Sequence, residues 1–326
     1  MKALVATAFD GPDSLAIQDL PEPTAGAEEV LVRVEAVGVN YADVMSAKGQ
    51  YAGGPKPPFI SGREFAGRRV DNGERVMGYA QHSAGAEVIA AGKDLLWPAP
   101  ENWTAVQAAA FPVNYLTAWL LYWKSGLIPG LGSPDGCPVG SGRRVLIHAA
   151  AGGVGTAAVQ LGKLFGVETF GTASSEEKIS KLVELGLDHP INYKTGDYEQ
   201  IVMELTGGAG VDATFESLGG VHTAKSLGCS AFLGRVILFG TATGEKPKFS
   251  TMAMYSKGAS VHGLWLSKLS KNSQLIAQAL ESMRPFIESG KLNPIVGATY
   301  PLEQAAEAHR LMIDRKNFGK TVLTLV

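Results

Sequence analysis

The sequence has little cysteine, little net charge and no long apolar run, and each shortage excludes a class of protein. Cys137 and Cys229 are its only cysteines, too few for a four-thiolate zinc site or a disulfide framework. The formal net charge of −2 argues against a nucleic-acid or membrane-surface partner. No apolar run reaches the roughly 18 residues that a membrane span needs. These features indicate a globular protein of the reducing cytoplasm.

Glycine is abundant, and the pattern of the sequence changes along its length. The 40 glycines are typical of a fold with many tight strand–helix turns. Residues 1 to about 100 show short alternating strands, such as Val30–Val37, broken by glycine and proline clusters. Helical spacing begins at Ala105, strands and helices alternate from Arg144, and short strands return after Pro294. The alternating part predicts a doubly wound parallel sheet.

The run Val145–Gly155 combines an apolar strand, a small-residue turn and the start of a helix. Gly152 would let the backbone approach a phosphate, and Gly155 would let the helix pack close to the strand, although Ala150 replaces the usual first glycine. The next strand, Val167–Thr172, closes a strand–helix–strand unit of the right size. The pattern therefore predicts a dinucleotide site. The backbone groups expected to hold the pyrophosphate belong to Ala151, Gly152, Gly153, Val154 and Gly155.

Ser174 favours NADPH over NADH. NAD sites usually carry Asp or Glu about 20 residues after the glycines, on the ribose hydroxyls. A carboxylate there would repel a 2′-phosphate, whereas Ser174 can donate a hydrogen bond to it, and Lys178 can face the same anion. Glu176 and Glu177 weaken this argument unless they point to solvent. The alternative is a plain helix start with Ser174 or Ser175 as N-cap, and that reading is compatible with phosphate binding.

Six segments carry a resemblance to a known family. They are Gly38–Met45, Lys48–Tyr51, Gly62–Gly67, Ala149–Gly155, Ile191–Tyr193 and Phe318–Lys320. Together they resemble the medium-chain dehydrogenase/reductase superfamily, in its zinc-free quinone oxidoreductase (zeta-crystallin-like) branch. The resemblance implies a GroES-like β-rich substrate domain from residues 1–114 and 284–326, and a Rossmann NADP-binding domain with a parallel sheet at 115–283. It also implies a homodimer through the last Rossmann strand, expected at Ser260–Leu266.

Two zinc ligands of the zinc-dependent branch are missing. The resemblance aligns Asn40 and Arg63 with a cysteine and a histidine of that branch. Zinc needs thiolate, neutral imidazole or carboxylate ligands, and a guanidinium cannot serve. The lone histidines His82, His148 and His222 are more typical of hydrogen-bonded structural groups than of ligands. We therefore expect no zinc or other metal, which argues against a zinc alcohol dehydrogenase.

Without zinc, the expected reaction is hydride transfer from NADPH to a small-molecule carbonyl or quinone, including enones and enoyl thioesters. The resemblance implies catalytic positions for three residues: Asn40 near the nicotinamide, Tyr51 over the substrate pocket as a hydrogen-bond donor, and Thr117 near the cofactor. Each also has a structural interpretation, because Asn40 with Asp43 fits a helix N-cap, Tyr51 can pack a loop and Thr117 can bond its own helix. An NADPH-binding sensor or structural protein with little turnover is the alternative function.

The resemblance implies further cofactor contacts, several of them at the carboxyl ends of strands. They are Tyr193 at the 2′-phosphate, Ser217, Phe239 and Gly240 at strand ends, Leu264, Trp265 and Leu266 at the nicotinamide amide, and Asn317 in the C-terminal segment. Two segments depart from the family in length, a short one between Gly67 and Arg75 and a long loop at Gly126–Arg143. Both would reshape the mouth of the pocket. A methyltransferase is disfavoured because its site would want an acidic ribose contact at Ser174.

Overall fold

The computed structural model describes residues 1–131, 134–136 and 143–325. Cys137 and part of the loop expected at Gly126–Arg143 lie outside the described residues. The chain divides into two compact units, a first unit of Met1–Leu116 with Ser270–Val326 and a second unit of Thr117–Leu269. The family resemblance implied divisions at 114/115 and 283/284, and the structure divides at 116/117 and 269/270. In the part of the chain that is described, no helix has the length and apolarity needed to cross a membrane.

The N-terminal part consists mainly of short strands. Its elements are β1 (Lys2–Ala6), β2 (Leu15–Asp19), β3 (Glu29–Val39), α1 (Tyr41–Ala47), β4 (Phe59–Ile60), β5 (Glu64–Arg69), β6 (Arg75–Tyr79), β7 (Val88–Gly92), β8 (Leu96–Pro98), α2 (Ala105–Ala109) and α3 (Pro112–Ser125). The expected N-cap pair is confirmed, because the backbone N–H of Asn40 donates to Asp43 Oδ2 at 2.8 Å in a capping box. Helix α3 crosses from the first unit into the second.

From Arg144, strands and helices alternate as predicted. These elements are β9 (Arg144–Ile147), α4 (Gly153–Phe165), β10 (Glu168–Ala173), α5 (Glu176–Leu185), β11 (His189–Asn192), α6 (Tyr198–Leu205), β12 (Val211–Glu216), α7 (His222–Gly228), β13 (Ser230–Leu238), α8 (Thr251–Lys257), β14 (Ser260–Gly263) and α9 (Leu266–Leu269). The strand expected over Ser260–Leu266 is too long by its last residues. The N–H of Leu264 still bonds to the carbonyl of Leu238, but the carbonyl of Trp265 already accepts a helical bond from Lys268.

The C-terminal part returns to the first unit with α10 (Ser273–Glu288), β15 (Val296–Pro301), α11 (Ala305–Ile313) and β16 (Lys320–Thr324). The last strand, β16, pairs antiparallel with β3, so that Thr321 lies opposite Val39. It belongs to a seven-stranded sheet in the order β15-β16-β3-β5-β6-β8, with β7 also on β3, and a three-stranded sheet has the order β2-β1-β4. This pairing brings the C-terminal strand next to the start of α1.

The second unit has one six-stranded sheet in the order β11-β10-β9-β12-β13-β14, and its strand pairs are parallel. Strand β12 is buried along its whole length, as expected for a sheet covered on both faces. The order reverses direction between β9 and β12, which is the switch point at which such sheets bind ligands. The doubly wound parallel sheet and the separate β-rich unit confirm the predicted fold class.

Candidate functional site

Most of the residues expected to bind the cofactor lie at the edge of the parallel sheet that is formed by the carboxyl ends of its strands. Each follows the carboxyl end of a strand, and parallel strands end at a common edge. They are the 151–155 turn after β9, Ser174 after β10, Tyr193 after β11, Ser217 after β12, Phe239 and Gly240 after β13, and Leu264, Trp265 and Leu266 after β14. The structure therefore brings these residues together. The contacts that they make with a cofactor stay predictions.

The turn after β9 has the close packing that its glycines predict. Gly152 is the N-cap of α4, so the first backbone N–H groups of the helix point out of its N-terminus. A Cβ on Gly155 would lie 2.4 Å from the carbonyl oxygen of Ala149 and 2.5 Å from that of Ala150. No side chain fits there without moving backbone. Gly155 therefore lets the start of α4 lie tightly against the turn after β9.

His148 is linked to this turn through the hydroxyl of Thr172. It is buried, and its Nδ1 and Nε2 lie 3.2 Å and 3.1 Å from the hydroxyls of Thr172 and Ser226. The Thr172 hydroxyl also accepts the backbone N–H of Ala149 at 3.3 Å. Burial, with the nearby His222 ring, lowers the pKa of His148 to about 3, so the ring is neutral at neutral pH. His148 is a hydrogen-bonded structural residue, as a lone histidine is expected to be.

The end of β10 shows which serine caps the next helix. Ser175 is the N-cap of α5, with its hydroxyl accepting the backbone N–H of Lys178 at 3.4 Å. Ser174 precedes the cap at the edge of the sheet. The two carboxylates that follow have partners elsewhere, because Glu177 pairs with Lys181 at 2.7 Å and Glu176 accepts from Asn192 Nδ2 at 2.6 Å. Both glutamates are exposed, as the NADPH interpretation requires.

A second lysine, Lys194, acts electrostatically on Lys178. Partial burial and the positive charges of Lys194 and Lys181 lower the pKa of the Lys178 ammonium, and the charge of Glu177 opposes them. Two ammonium groups that repel each other in this way would also stabilise a nearby anion. Lys194 was not predicted from the sequence, although it directly follows Tyr193 after β11, a position like that of Ser174 after β10.

Glu216 is a further residue of this region whose role the sequence did not predict. Its Oε1 accepts the backbone N–H of Leu218 at 2.5 Å and that of Gly219 at 3.3 Å, so it fixes the loop that begins with Ser217. Burial raises the pKa of the Glu216 carboxyl, and the two N–H donors oppose that shift. The sequence feature that could have identified Glu216 is a carboxylate at the end of a fully buried strand.

In the first unit, the side chain of Asn40 belongs to a buried polar cluster. Its Nδ2 donates to Glu64 Oε1 at 2.8 Å, and its Oδ1 accepts from Lys320 Nζ at 2.6 Å. Lys320 also forms an ion pair with Glu64 and donates to Asn114 Oδ1 at 3.4 Å. Glu64 Oε2 accepts the backbone N–H of Val113 at 2.7 Å. Both ends of the Asn40 amide are therefore engaged inside the protein. This restricts the direct catalytic contact near the nicotinamide that the resemblance implies for Asn40.

Arg63 occupies a second buried position in the first unit. Its Nε lies 3.3 Å from Asp43 Oδ1, and Nη2 donates to Ser46 Oγ at 2.8 Å. The guanidinium lies over the ring of Tyr51, with 4.2 Å between Cζ and the ring centroid. Burial raises the pKa of the Asp43 carboxyl, and the Arg63 charge opposes that shift. Tyr51 is thus tied to α1 through Arg63.

The donor set at Asn40 and Arg63 does not suit a metal. An amide engaged at both ends and a guanidinium in an ion pair replace the thiolate, imidazole or carboxylate groups that zinc requires. Among the described residues, no group of three or more His, Cys, Asp or Glu side chains has an arrangement that could hold a metal ion.

Two further expected site residues lie on other segments of the chain. Thr117 is buried on α3, and Asn317 is half-buried between α11 and β16. Thr117 belongs to the second unit and Asn317 to the first. Their contacts with a cofactor stay predictions.

Comparisons with known proteins agree with this architecture. A family model described as an alcohol dehydrogenase GroES-like domain matches residues 26–97, and one described as a zinc-binding dehydrogenase matches residues 153–283. The synaptic vesicle membrane protein VAT-1 homolog of Danio rerio is 33% identical over 99% of this chain and 70% of its own length. The quinone oxidoreductase of Sus scrofa is 31% identical over 100% of this chain and 98% of its own length.

A solved structure extends the match to three dimensions. The quinone oxidoreductase from Thermus thermophilus, solved also in complex with NADPH, superposes with a TM-score of 0.87 and is 34% identical, covering 100% of both chains. The quinone oxidoreductases among these relatives indicate an oxidoreductase, and the two family models match the predicted GroES-like domain and the domain with the parallel sheet. The chain belongs to the medium-chain dehydrogenase/reductase superfamily, in its zinc-free quinone oxidoreductase branch.

Proposed function

We propose that this protein is an NADPH-dependent reductase of quinones or α,β-unsaturated carbonyl compounds that works without a metal. The observation that carries the proposal is the buried Arg63–Asp43 ion pair, at a position that the family resemblance aligns with a histidine ligand of the zinc-dependent branch. Without a Lewis acid an alcohol is poorly activated for hydride loss, whereas quinones and enones accept hydride readily. The quinone oxidoreductases among the relatives support the same substrate class.

NADPH fits the sheet edge better than NADH does. The backbone N–H groups of 151–155 would hold the pyrophosphate at the N-terminus of α4. Ser174, Lys178 and Tyr193 would bind the 2′-phosphate, with Lys194 as an additional positive charge. Ser217, Phe239, Gly240 and residues 264–266 would line the rest of the edge, and bound NADPH supplies the hydride.

The first unit would supply the groups for the substrate. Tyr51 would donate a hydrogen bond to the oxygen on which negative charge develops during hydride transfer. Asn40 would act mainly by holding the turn at the start of α1, because its amide is already bonded to Glu64 and Lys320. Thr117 and Asn317 would contact the cofactor from α3 and from the C-terminal segment. Each role remains part of the proposal.

Steady NADPH oxidation tests this function. We expect the purified protein to oxidise NADPH with a panel of quinones and enones, to use NADH much less well, and to keep its activity after treatment with a zinc chelator. Turnover that disappears with the removal of about one zinc per chain would contradict metal independence. Tight NADPH binding without turnover on any member of the panel would instead favour the sensor or structural alternative.

A homodimer is also part of the proposal. Strand β14 pairs with β13 and ends the order of the parallel sheet, so its other edge is a template for another strand. Pairing of this edge with a second copy would satisfy its backbone groups. We expect sedimentation at micromolar concentration to show a dimer, and replacement of Val261 by Pro to shift it towards monomer, since proline cannot donate in a ladder. A monomer for the unmodified protein would exclude this assembly.

A further inference from the structure

Arg63 joins three separate segments of the first unit. On α1, it lies against Asp43 Oδ1 and donates to Ser46 Oγ. Its Nη1 donates to the carbonyl oxygen of Gln81 at 2.9 Å, in the segment after β6. Its face lies over the Tyr51 ring, in the segment after α1. The whole residue is only 3% exposed, so these contacts are shielded from water.

Tyr51 begins a segment that has little regular structure. The stretch from 51 to 58 contains Gly53, Gly54 and three prolines, and it includes neither a helix nor a strand. The N–H of Gly54 donates to the carbonyl of Tyr51 at 2.9 Å, which forms a turn. Because glycine adds backbone freedom, the position of the ring depends on side-chain contacts with the rest of the unit. The stack on Arg63 is such a contact.

We propose that Arg63 is a positioning residue for Tyr51. It fixes the phenol ring relative to α1 and thereby sets the place of the hydroxyl in the substrate pocket. An arginine suits this task because its planar group can stack on a ring while its edge donates to two oxygens, which a lysine cannot reproduce. The catalytic consequence rests on the proposed function, in which Tyr51 contacts the substrate; the anchoring of the ring does not.

The test uses Arg63→Lys, which keeps a positive charge near Asp43 but removes the planar face. We expect kcat/KM for a quinone to fall about five- to thirtyfold, the range of a desolvated cation–π contact. Arg68→Lys on β5 is the matched control, because Arg68 makes exposed contacts, an ion pair with Glu35 and a hydrogen bond to the carbonyl oxygen of Gly73, and we expect it to change nothing. In a Tyr51→Leu background, Arg63→Lys should have little further effect. Effects that multiply in the double variant would overturn the proposal.

A measurement without turnover separates this inference from the proposed function. Hydrogen exchange at the Gly54 amide should be about five- to thirtyfold faster in Arg63→Lys than in the unmodified protein. If no quinone or enone is reduced, the proposed function fails and the exchange rate still decides: an unchanged rate overturns the anchoring role. Should Arg63→Lys fold poorly, the variant D43N/R63M removes both charges of the buried pair. Faster exchange at the Gly54 amide in this variant would support the anchoring role, and an unchanged rate would overturn it.

Discussion

Lys178→Ala should weaken NADPH binding by about ten- to a hundredfold and leave NADH binding nearly unchanged. A charge-assisted hydrogen bond contributes about 1.5–3 kcal/mol, and each 1.4 kcal/mol is about tenfold in affinity. Only NADPH carries the 2′-phosphate that Lys178 would meet. Fluorescence titration of each cofactor gives the two dissociation constants. Lys181→Ala is the matched control on the same helix, since Lys181 pairs with Glu177 on an exposed face, and it should affect both cofactors little.

Ser174→Asp should have a larger effect on the same site. The new carboxylate would repel the 2′-phosphate and offer an acceptor to the ribose hydroxyls of NADH. We therefore expect the preference to move towards NADH in the same titration. If the unmodified protein binds NADH as well as NADPH, or if Lys178→Ala and Ser174→Asp weaken the two cofactors equally, the 2′-phosphate site is wrongly assigned.

Lys320→Met should destabilise the first unit by about 3–5 kcal/mol, because it leaves the buried Glu64 carboxylate without its cation. Lys320 and Glu64 have side chains that are 3% and 0% exposed, and Lys320 also donates to Asn40. Native-state hydrogen exchange of amides in β3 and β16 measures the loss within that unit. The expected result is faster exchange of both strands together.

A surface pair provides the control for this prediction. Lys316 pairs with Asp314 at 3.1 Å, with side chains 70% and 51% exposed. Lys316→Met should therefore cost less than about 1 kcal/mol. The double variant K320M/E64Q removes both buried charges and should recover part of the loss. An effect of Lys320→Met as small as that of Lys316→Met would show that the buried pair contributes little to stability.

The sequence predicted best where local chemistry determines structure. The turn at 149–155, the strands β10 and β12 and the Asn40–Asp43 cap follow from residue spacing and capping rules, and all lie where they were expected. The predicted end of β14 was wrong because the apolar run continues through Leu266. Apolar periodicity alone does not show where a strand ends and a helix begins.

Contacts between residues that are far apart in the chain could not be predicted from the sequence. Lys320 meets Asn40 and Glu64 only because β16 pairs with β3, a contact between opposite ends of the chain. The stack of Arg63 on Tyr51 likewise depends on how a loop folds back on α1. The family resemblance singled out Asn40, Arg63 and Tyr51, but their partners, and hence the restricted role of Asn40, required the fold.

Transfer of deuterium from NADPH tests the central claim most directly. The protein is mixed with an enone and NADPH that is deuterated on either face of C4 of the nicotinamide, and the product is analysed by mass spectrometry. Direct hydride transfer predicts one deuterium in the saturated product from one of the two labelled faces, with the same result after chelation of metals. A saturated product without deuterium from either labelled cofactor, or deuterium transfer that is lost after chelation of metals, would contradict the assignment of this chain as a metal-independent NADPH-dependent reductase.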